Sequence, residues 1–462
     1  MKARRLPGPG GVAQVGYLRR MLADPVLVLE ELSGTHGSMI GFGAGPMRVA
    51  IVGDAEAVGQ LFAMPTDRFR WGHKFNVLGF VVGKSSLIVS DGADHQRRRK
   101  AVTPGFARRR LNGWIPMIVA ETDGAIDRLG EALPASGAAV DLYPVGRDLA
   151  LRVVVRAMFG ESMAARTDEI GELFQRPQAY LESPAVRQLP HPFPFTKRAR
   201  VRADRRRLDA IIDAEIASRS ARPHDEAADV LSALVHSGDL DDAEIRDQVA
   251  TLIGAGYDTT SASLAWMLWC ATTTPGLWER LRSEACTAFA SGDDAETEWD
   301  QRLLSRLELA DRVMRETLRL HPAGVVGPRE AAIDIDVGGY RIPAGTLILW
   351  SAYLTGRDPH VWPDPERFDP DRFAGLDDAQ RGESDRAWVP FGGGARNCIG
   401  FALAQMELTI ILARLAQRLD LTPTTNTVPR PYGMVVNRPA GGVPMHVRPA
   451  PTGEVDSDAT VA

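Results

Sequence analysis

The chain has 462 residues, 44% of them hydrophobic and 24% charged, with a formal net charge of −5. These values describe a globular protein long enough for a large core, and they exclude a global basic field for nucleic acid. Three irregularly spaced cysteines, Cys270, Cys286 and Cys398, exclude a disulfide framework and fit a reducing, cytoplasmic setting.

The opening stretch MKARRLPGPGG lacks the apolar run of a secretory signal. Residues 1–12 and the polar tail 450–462 are expected to be flexible; length alone loosely suggests about three domains, though no linker is long enough to separate them. A β-rich segment comes first: SMIGFG and MRVAIVGD, split by the turn AGP. From about 55 to 320 the pattern is mostly helical. Within it lie two basic runs. Arg97, Arg98, Arg99 and Lys100 are followed by Arg108, Arg109 and Arg110, and KRARVRADRRR spans 197–207. Each can be simply a solvated face. The 49 arginines against five lysines reflect a composition bias and carry no functional signal.

Asp241 with Glu244 forms a capping box, and Pro275-Gly276 stops the helix that follows. Some 30 residues give a helix of roughly 45–50 Å. Between Asp247 and Glu279 the only charge is Asp258. That length would cross a bilayer, but its Thr, Ser and Gly content and its central acid favour a helix buried in a large protein. At its middle stands AGYDTTS, 255–261, where Gly254, Gly256, Thr259 and Thr260 are poor helix formers. A buried carboxylate is costly unless paired or used. This thinned turn therefore predicts either a small-ligand site with a proton path through Asp258 and Thr259, or a packing kink with Asp258 satisfied locally.

ELADRVMRETLRLHP, 308–322, predicts a helix with Glu316 and Arg319 on one face. VWPDPERFDPDRF lies between it and the cysteine, and Arg367 there would complete a Glu–Arg–Arg cluster. AIDIDVGGYRIPAGTLILW predicts strands with a hairpin at Gly338-Gly339. FGGGARNCIG, 391–400, then precedes a strongly helical stretch at 401–419, and a last hairpin is expected around MVVNRPAGGVPMHV. The predicted architecture is mainly α with small antiparallel β-sheets: a large helical body crossed by one long helix.

Cys398 before a helix would lie near backbone N–H groups and the positive end of the helix dipole, which favour thiolate. Gly392, Gly393 and Gly394 would let a flat object approach, Phe391 would shield the sulfur, and Arg396 would meet an acidic group. One cysteine cannot build a zinc site, but it can be the axial ligand of a haem. The bland alternative is an inert buried thiol, which is the reading for Cys270 and Cys286.

Together these residues resemble the cytochrome P450 family. FGGGARNCIG is similar to its F-x-x-G-x-R-x-C-x-G loop, with Phe391, Gly394, Arg396, Cys398 and Gly400 in place. AGYDTT resembles the oxygen-activation turn, Glu316 to Arg319 the E-x-x-R, and Pro365 to Phe368 the PERF segment. His95 and Arg99 match an H-x-x-x-R helix that binds the haem propionates, and Arg329 matches a third propionate contact.

The resemblance implies the P450 fold in a single domain over 13–449, with haem b between the long helix and the cysteine-loop helix and the Cys398 thiolate as axial ligand. Gly256 would line the cofactor. The implied activity is a monooxygenase placing one atom of O2 on a hydrophobic small molecule (lipid, terpenoid or polyketide), with Asp258 and Thr259 supplying protons. The resemblance is to soluble bacterial, actinobacterial or mycobacterial members without a membrane span. Electrons would come from a separate ferredoxin and ferredoxin reductase docking on the 97–110 basic run, and the 197–207 run would receive an anionic substrate or an acidic carrier protein. The substrate pocket is expected from 75–83, 184–195, 251–256, 323–326 and 432–436. A peroxide-dependent peroxygenase, a non-catalytic haem-thiolate sensor or carrier, and a cysteine hydrolase are the alternatives.

Overall fold

The computed structural model describes residues 4–21, 24–71, 77–133, 139–183, 188, 193–222, 229–290, 301–433 and 435–451. Parts of the expected pocket segments (75–76, most of 184–192, and 434), parts of both termini and the end of the tail lie outside these residues.

The long helix, Asp242–Thr273, is the axis of the helical body. Both hydrogen bonds of its capping box form: Asp241 accepts from the Glu244 N–H, and Glu244 accepts from the Asp241 N–H. It packs most extensively on the helix Leu142–Ala164, which bends at Gly160, and also contacts Lys197–Ser220, Glu308–Leu320 and Phe401–Arg418. A helix buried among helices needs no polar face. Accordingly, from Asp247 to Ala271 every residue is buried except Gly254, Ala255, Gly256 and Thr259. No described helix is long and apolar enough to cross a membrane.

Five strands form the larger sheet, in the order Met39–Phe42, Val49–Val52, Leu347–Trp350, Gly327–Ala331 and Phe69–Arg70. Val49–Val52 pairs in parallel with Leu347–Trp350; the other neighbours are antiparallel. Ile335–Val337 and Tyr340–Ile342 make the expected hairpin, with positive φ at both Gly338 and Gly339.

The last expected hairpin is not formed. Arg438–Pro439 pairs back onto Pro431–Tyr432, while Pro444–Pro449 crosses to Leu419–Pro423 and Ala139–Asp141. Burial decides the pairing: Met445 and Val447 enter the main core, and Asp141 fills the space above Gly442, where a Cβ would meet its carboxylate at 2.2 Å.

Candidate active site

Cys398 sits in the turn ahead of Phe401–Arg418, and its N–H donates to the Phe391 carbonyl at 2.8 Å. Phe391 packs edge-on against Phe401 at 4.8 Å and beside Trp388 at 5.8 Å, so an aromatic cluster anchors the start of the loop. Cys398 is accessible, yet enough protein surrounds it that burial pushes its thiol pKa up. The Gly400 N–H and Arg99 pull the other way, as the helix start leads one to expect, but do not prevail. Metal coordination is what deprotonates such a thiol outright.

The glycines of the loop answer to a different neighbour than expected. A Cβ on Gly393 would meet the Phe62 ring at 2.3 Å, and one on Gly394 the Phe62 carbonyl at 2.4 Å. Gly392 and Gly394 also have φ of 69° and 65°, where side chains are strained. The bare backbone thus admits the helix Ala55–Ala63 that carries Phe62. Gly256 is likewise set by packing: its Cβ would meet Val154 at 2.8 Å on the adjoining helix. Close helix–helix approach therefore requires a glycine at this position.

A cluster of cations lies beside the loop. Trp71 is stacked by Arg396 at 3.9 Å and lies 5.4 Å from Arg329. Its N–H donates to Asp91, which also pairs with Arg396 at 3.2 Å, while Arg396 donates to the Ser90 carbonyl. Arg329 is buried among Phe62, Phe69 and Trp71 and donates to the Leu61 carbonyl. Burial lowers both guanidiniums to about 10. His95 is buried next to them, and burial followed by the charges of Arg396 and Arg99 lowers its pKa to about 4.

Nε of Arg329 and Nε of Arg396 have no hydrogen-bond partner. Arg329 is a buried cation with no carboxylate partner among the described residues, and Arg396 keeps an open Nε beside its pair with Asp91; such donors suit anions, and a haem carries two carboxylates. The residues therefore fit a haem whose iron meets Cys398. Arg99 also has a partner within the cysteine loop. It grips Asn397, donating to the backbone carbonyl at 2.9 Å and to Oδ1 at 2.6 Å, and so fastens the residue before the ligand.

On the central helix, Thr259 donates its hydroxyl hydrogen to the Ala255 carbonyl at 2.7 Å. With Ala255 exposed and Gly256 and Thr259 half-buried, this turn is where the otherwise buried helix opens. Asp258 is not satisfied within its helix. It is buried and paired with Arg438 at 2.6 Å, and its Oδ1 is without a partner.

Glu316 and Arg319 are both buried and form a bidentate pair at 2.7 and 2.8 Å. Arg319 also donates to the carbonyls of Gly356, Pro365 and Arg367. The third cation is Arg372, with Nε 2.9 Å from Glu316, and not the expected Arg367. The Arg367 side chain is 68% exposed and faces Asp369; only its carbonyl joins, accepting from Arg319 and Arg372. The 3-10 turn Pro370–Phe373 carries Arg372 back over the helix, while Arg367 precedes that turn and points outward.

The basic runs are partly committed to the fold. Arg97 and Arg98 both clasp Glu244 in the cap of the central helix, leaving Lys100, Arg108 and Arg109 exposed with Arg97. In the second run Arg198 lies 3.8 Å from the Phe80 ring and Arg205 pairs with Asp209 and Asp247, while Lys197, Arg200, Arg202 and Arg206 face outward. The hydrogen bond from Arg97 is the largest cause of the low Glu244 pKa, about 2. A carboxylate so depressed stabilises the fold above its unfolded value and loses that contribution as pH falls through the folded one. Glu244→Gln should therefore lower the melting temperature at pH 7, with the deficit shrinking as pH falls from about 4.5 towards 2. A constant deficit would exclude this origin.

Sequence reasoning missed Trp71, Asn397, Arg372 and Arg438. Arg372, Asn397 and Arg438 stood in the quoted segments DPDRF, FGGGARNCIG and MVVNRPAGGVPMHV without a signal of their partners; Trp71 stood in none.

The family model "Cytochrome P450" matches residues 6–443. The chain is 36% identical over 439 residues to a Mycobacterium tuberculosis protein assigned as cytochrome P450 139, covering 93% of this chain and 99% of that one. It is 30% identical over 441 residues to a pentalenene oxygenase of Streptomyces avermitilis, covering 92% and 93%. It superposes on the retinoic acid-bound cyanobacterial CYP120A1 with a TM-score of 0.84 at 25% identity, covering 97% of this chain and all of that one. An accessible cysteine before a helix, buried cations beside it and an opened turn on the long helix are thus found in a chain that belongs to the cytochrome P450 family, a haem-thiolate monooxygenase.

Proposed function

We propose that this enzyme binds haem b through Cys398 and oxygenates a hydrophobic small molecule of the terpenoid class. Its electrons come from a separate ferredoxin and ferredoxin reductase, and it works in the cytoplasm as one domain over 13–449. The observation that carries the cofactor is the convergence of buried Arg329 and half-buried Arg396 on Trp71, each with an open Nε donor. Terpenoids are favoured over other lipids and polyketides by two relatives, the pentalenene oxygenase and a cyclooctatin synthase of Streptomyces melanosporofaciens, 30% identical over 440 residues. The exposed Arg97, Lys100, Arg108 and Arg109 supply cations for an acidic ferredoxin. The outward Lys197, Arg200, Arg202 and Arg206 suit an anionic substrate or acidic carrier protein.

When bound, the haem supplies the oxygen chemistry. Cys398 binds the iron, Arg329 and Arg396 orient the carboxylates, and Phe391 keeps water from the sulfur. Thr259 has given its hydroxyl hydrogen to Ala255, so its oxygen faces the opening as an acceptor and holds a proton-bearing partner there. Asp258, one residue away, supplies the proton. Thr259→Ala should retain haem and substrate affinity but divert reducing equivalents to peroxide, lowering the product-to-NAD(P)H ratio by about tenfold. Equal coupling in both proteins would remove Thr259 from the pathway.

The proposal as a whole is tested by spectral titration of the purified holoenzyme against terpenoid, lipid and polyketide panels, followed by turnover with ferredoxin and reductase or with peroxide. A terpenoid that shifts the haem spectrum and is oxygenated only with the ferredoxin system supports it. Turnover with peroxide alone, or reductant never consumed, would overturn the monooxygenase reading.

A further inference from the structure

Three helices meet beside the expected substrate pocket: Val77–Val82, Thr167–Leu181 and Lys197–Ser220. Val81, Val82, Tyr180 and Val201 form a small buried apolar cluster there, apart from the main core, with Phe80 packed against it. Val77–Val82 falls in one segment that the sequence assigns to the pocket, and Gln188 in another.

Arg198 enters this cluster from the start of its helix. Its guanidinium lies 3.8 Å from the centre of the Phe80 ring. Nη1 donates to the Tyr180 hydroxyl at 2.9 Å and to the Gln188 carbonyl at 3.0 Å, its only hydrogen bonds among the described residues. Nε is buried without a partner. Nε and Nη2 share the other edge of the guanidinium plane, where a carboxylate can take two parallel hydrogen bonds.

No described carboxylate pairs with Arg198, and acids of the surrounding elements answer to other cations. Asp204, the first acid of its own helix, pairs with Arg176, and Asp209 and Asp247 pair with Arg205. Glu182, just beyond Leu181, pairs with Arg438. The fold thus sets a cation against an aromatic face and apolar side chains and supplies no anion for it. Arg329, assigned above to a haem carboxylate, is in the same condition.

We propose that Arg198 is a specificity-determining residue that takes the carboxylate of an otherwise apolar substrate, a fatty acid or a terpenoid acid. This deepens the proposed function and rests on its reading of a hydrophobic substrate. The apolar cluster lowers the local dielectric and strengthens such a pair. The outward Lys197, Arg200, Arg202 and Arg206 stand in water, where salt screens them. Tyr180 and Gln188 hold Nη1, so the guanidinium plane is set before the substrate arrives and less freedom is lost on binding.

The test is spectral titration of the holoenzyme with two matched pairs, dodecanoate against dodecanol and farnesoate against farnesol. Arg198→Gln should weaken acid binding about 10- to 100-fold and leave the alcohols within about twofold. Arg198→Lys, which keeps the charge but loses the fork, should fall between. Arg200→Gln, in the outward run, should change neither. An effect on one pair alone names the source of the carboxylate as fatty acid or terpenoid acid; an effect on both shows that the carboxylate itself is recognised.

Equal losses for acid and alcohol in Arg198→Gln would make the residue structural, and unchanged acid binding would place the carboxylate elsewhere. Either result overturns the proposal. So does an Arg200→Gln loss as large as that of Arg198→Gln, which would assign the anion to the exposed run. If the wild type binds the alcohols but neither acid, the hydrophobic-substrate reading stands and this proposal falls. If it binds none of the four, that reading falls as well. The unliganded haem spectrum and melting temperature of each variant report folding. Should Arg198→Gln not fold, a loss confined to the acids in Arg198→Lys carries the test, and its absence overturns the proposal.

Discussion

Cys398→Ser is expected to yield a folded protein that has lost at least tenfold in haem affinity and lacks the red-shifted Soret band of its ferrous CO complex. Even residues that only support a metal ligand are worth about 10- to 100-fold in metal affinity, and Cys398 is the proposed ligand itself. The change exchanges a polarisable sulfur for a hard, basic hydroxyl in a turn that need not move: the Phe391 carbonyl still accepts the residue 398 N–H, and Arg99 still grips Asn397. Those bonds hold the loop from its backbone, so folding and haem ligation separate. Haem content, the CO difference spectrum and circular dichroism decide the matter. A variant with the normal Soret band would place the ligand elsewhere. Of the other two cysteines, Cys270 is buried, with a thiol that burial pushes far from ionisation, and is unsuited to take over.

The second large effect is expected at the Glu316–Arg319 pair, and its gradation tests the corrected cluster. Arg319→Ala leaves the buried Glu316 carboxylate without its bidentate partner and takes a donor from the carbonyls of Gly356, Pro365 and Arg367, the last of which keeps Arg372. Breaking a buried pair in this way costs about 3–5 kcal/mol. Arg372→Ala removes one charge-assisted hydrogen bond to Glu316 and two to carbonyls, so a loss of about 1.5–3 kcal/mol is expected. Arg367→Ala touches only an exposed side chain, since its carbonyl stays, and should fall within about 0.5 kcal/mol of wild type. Chemical denaturation followed by fluorescence, together with haem retention on heating, gives the order. An Arg367→Ala loss equal to that of Arg372→Ala would return the third place to Arg367. The network ties the helix Glu308–Leu320 to the meander at 356–372, which leads directly to the cysteine loop. Haem loss should therefore track the same order.

Much of the fold was legible because its signals are local. The capping box at Asp241 and Glu244, the Pro-Gly stop after Thr273 and the glycine pair at 338–339 each act within a few residues, and each set an element boundary. The cysteine loop was legible for a related reason: a ligand, a helix start and a cation lie within ten residues. What sequence spacing could not show is which side of a turn a side chain leaves by. Arg367 and Arg372 stand five residues apart in one segment, and only the 3-10 turn between them decides that Arg372 reaches Glu316.

The glycines show the same limit. Their presence announced close approach, but the approaching groups, Phe62 at the loop and Val154 at the central helix, come from 331 and 102 residues away in the chain. The sequence by itself determined most of the element order and singled out the candidate ligand and the acid–alcohol turn, because helix periodicity, capping and motif spacing are encoded within short windows. Only the tertiary structure decided that Asp258 answers to Arg438, that Arg99 grips Asn397, and that Arg329 and Arg396 converge on Trp71. Such pairings join residues far apart in the chain, and burial, which makes an unpaired charge costly, selects them only once the core has closed.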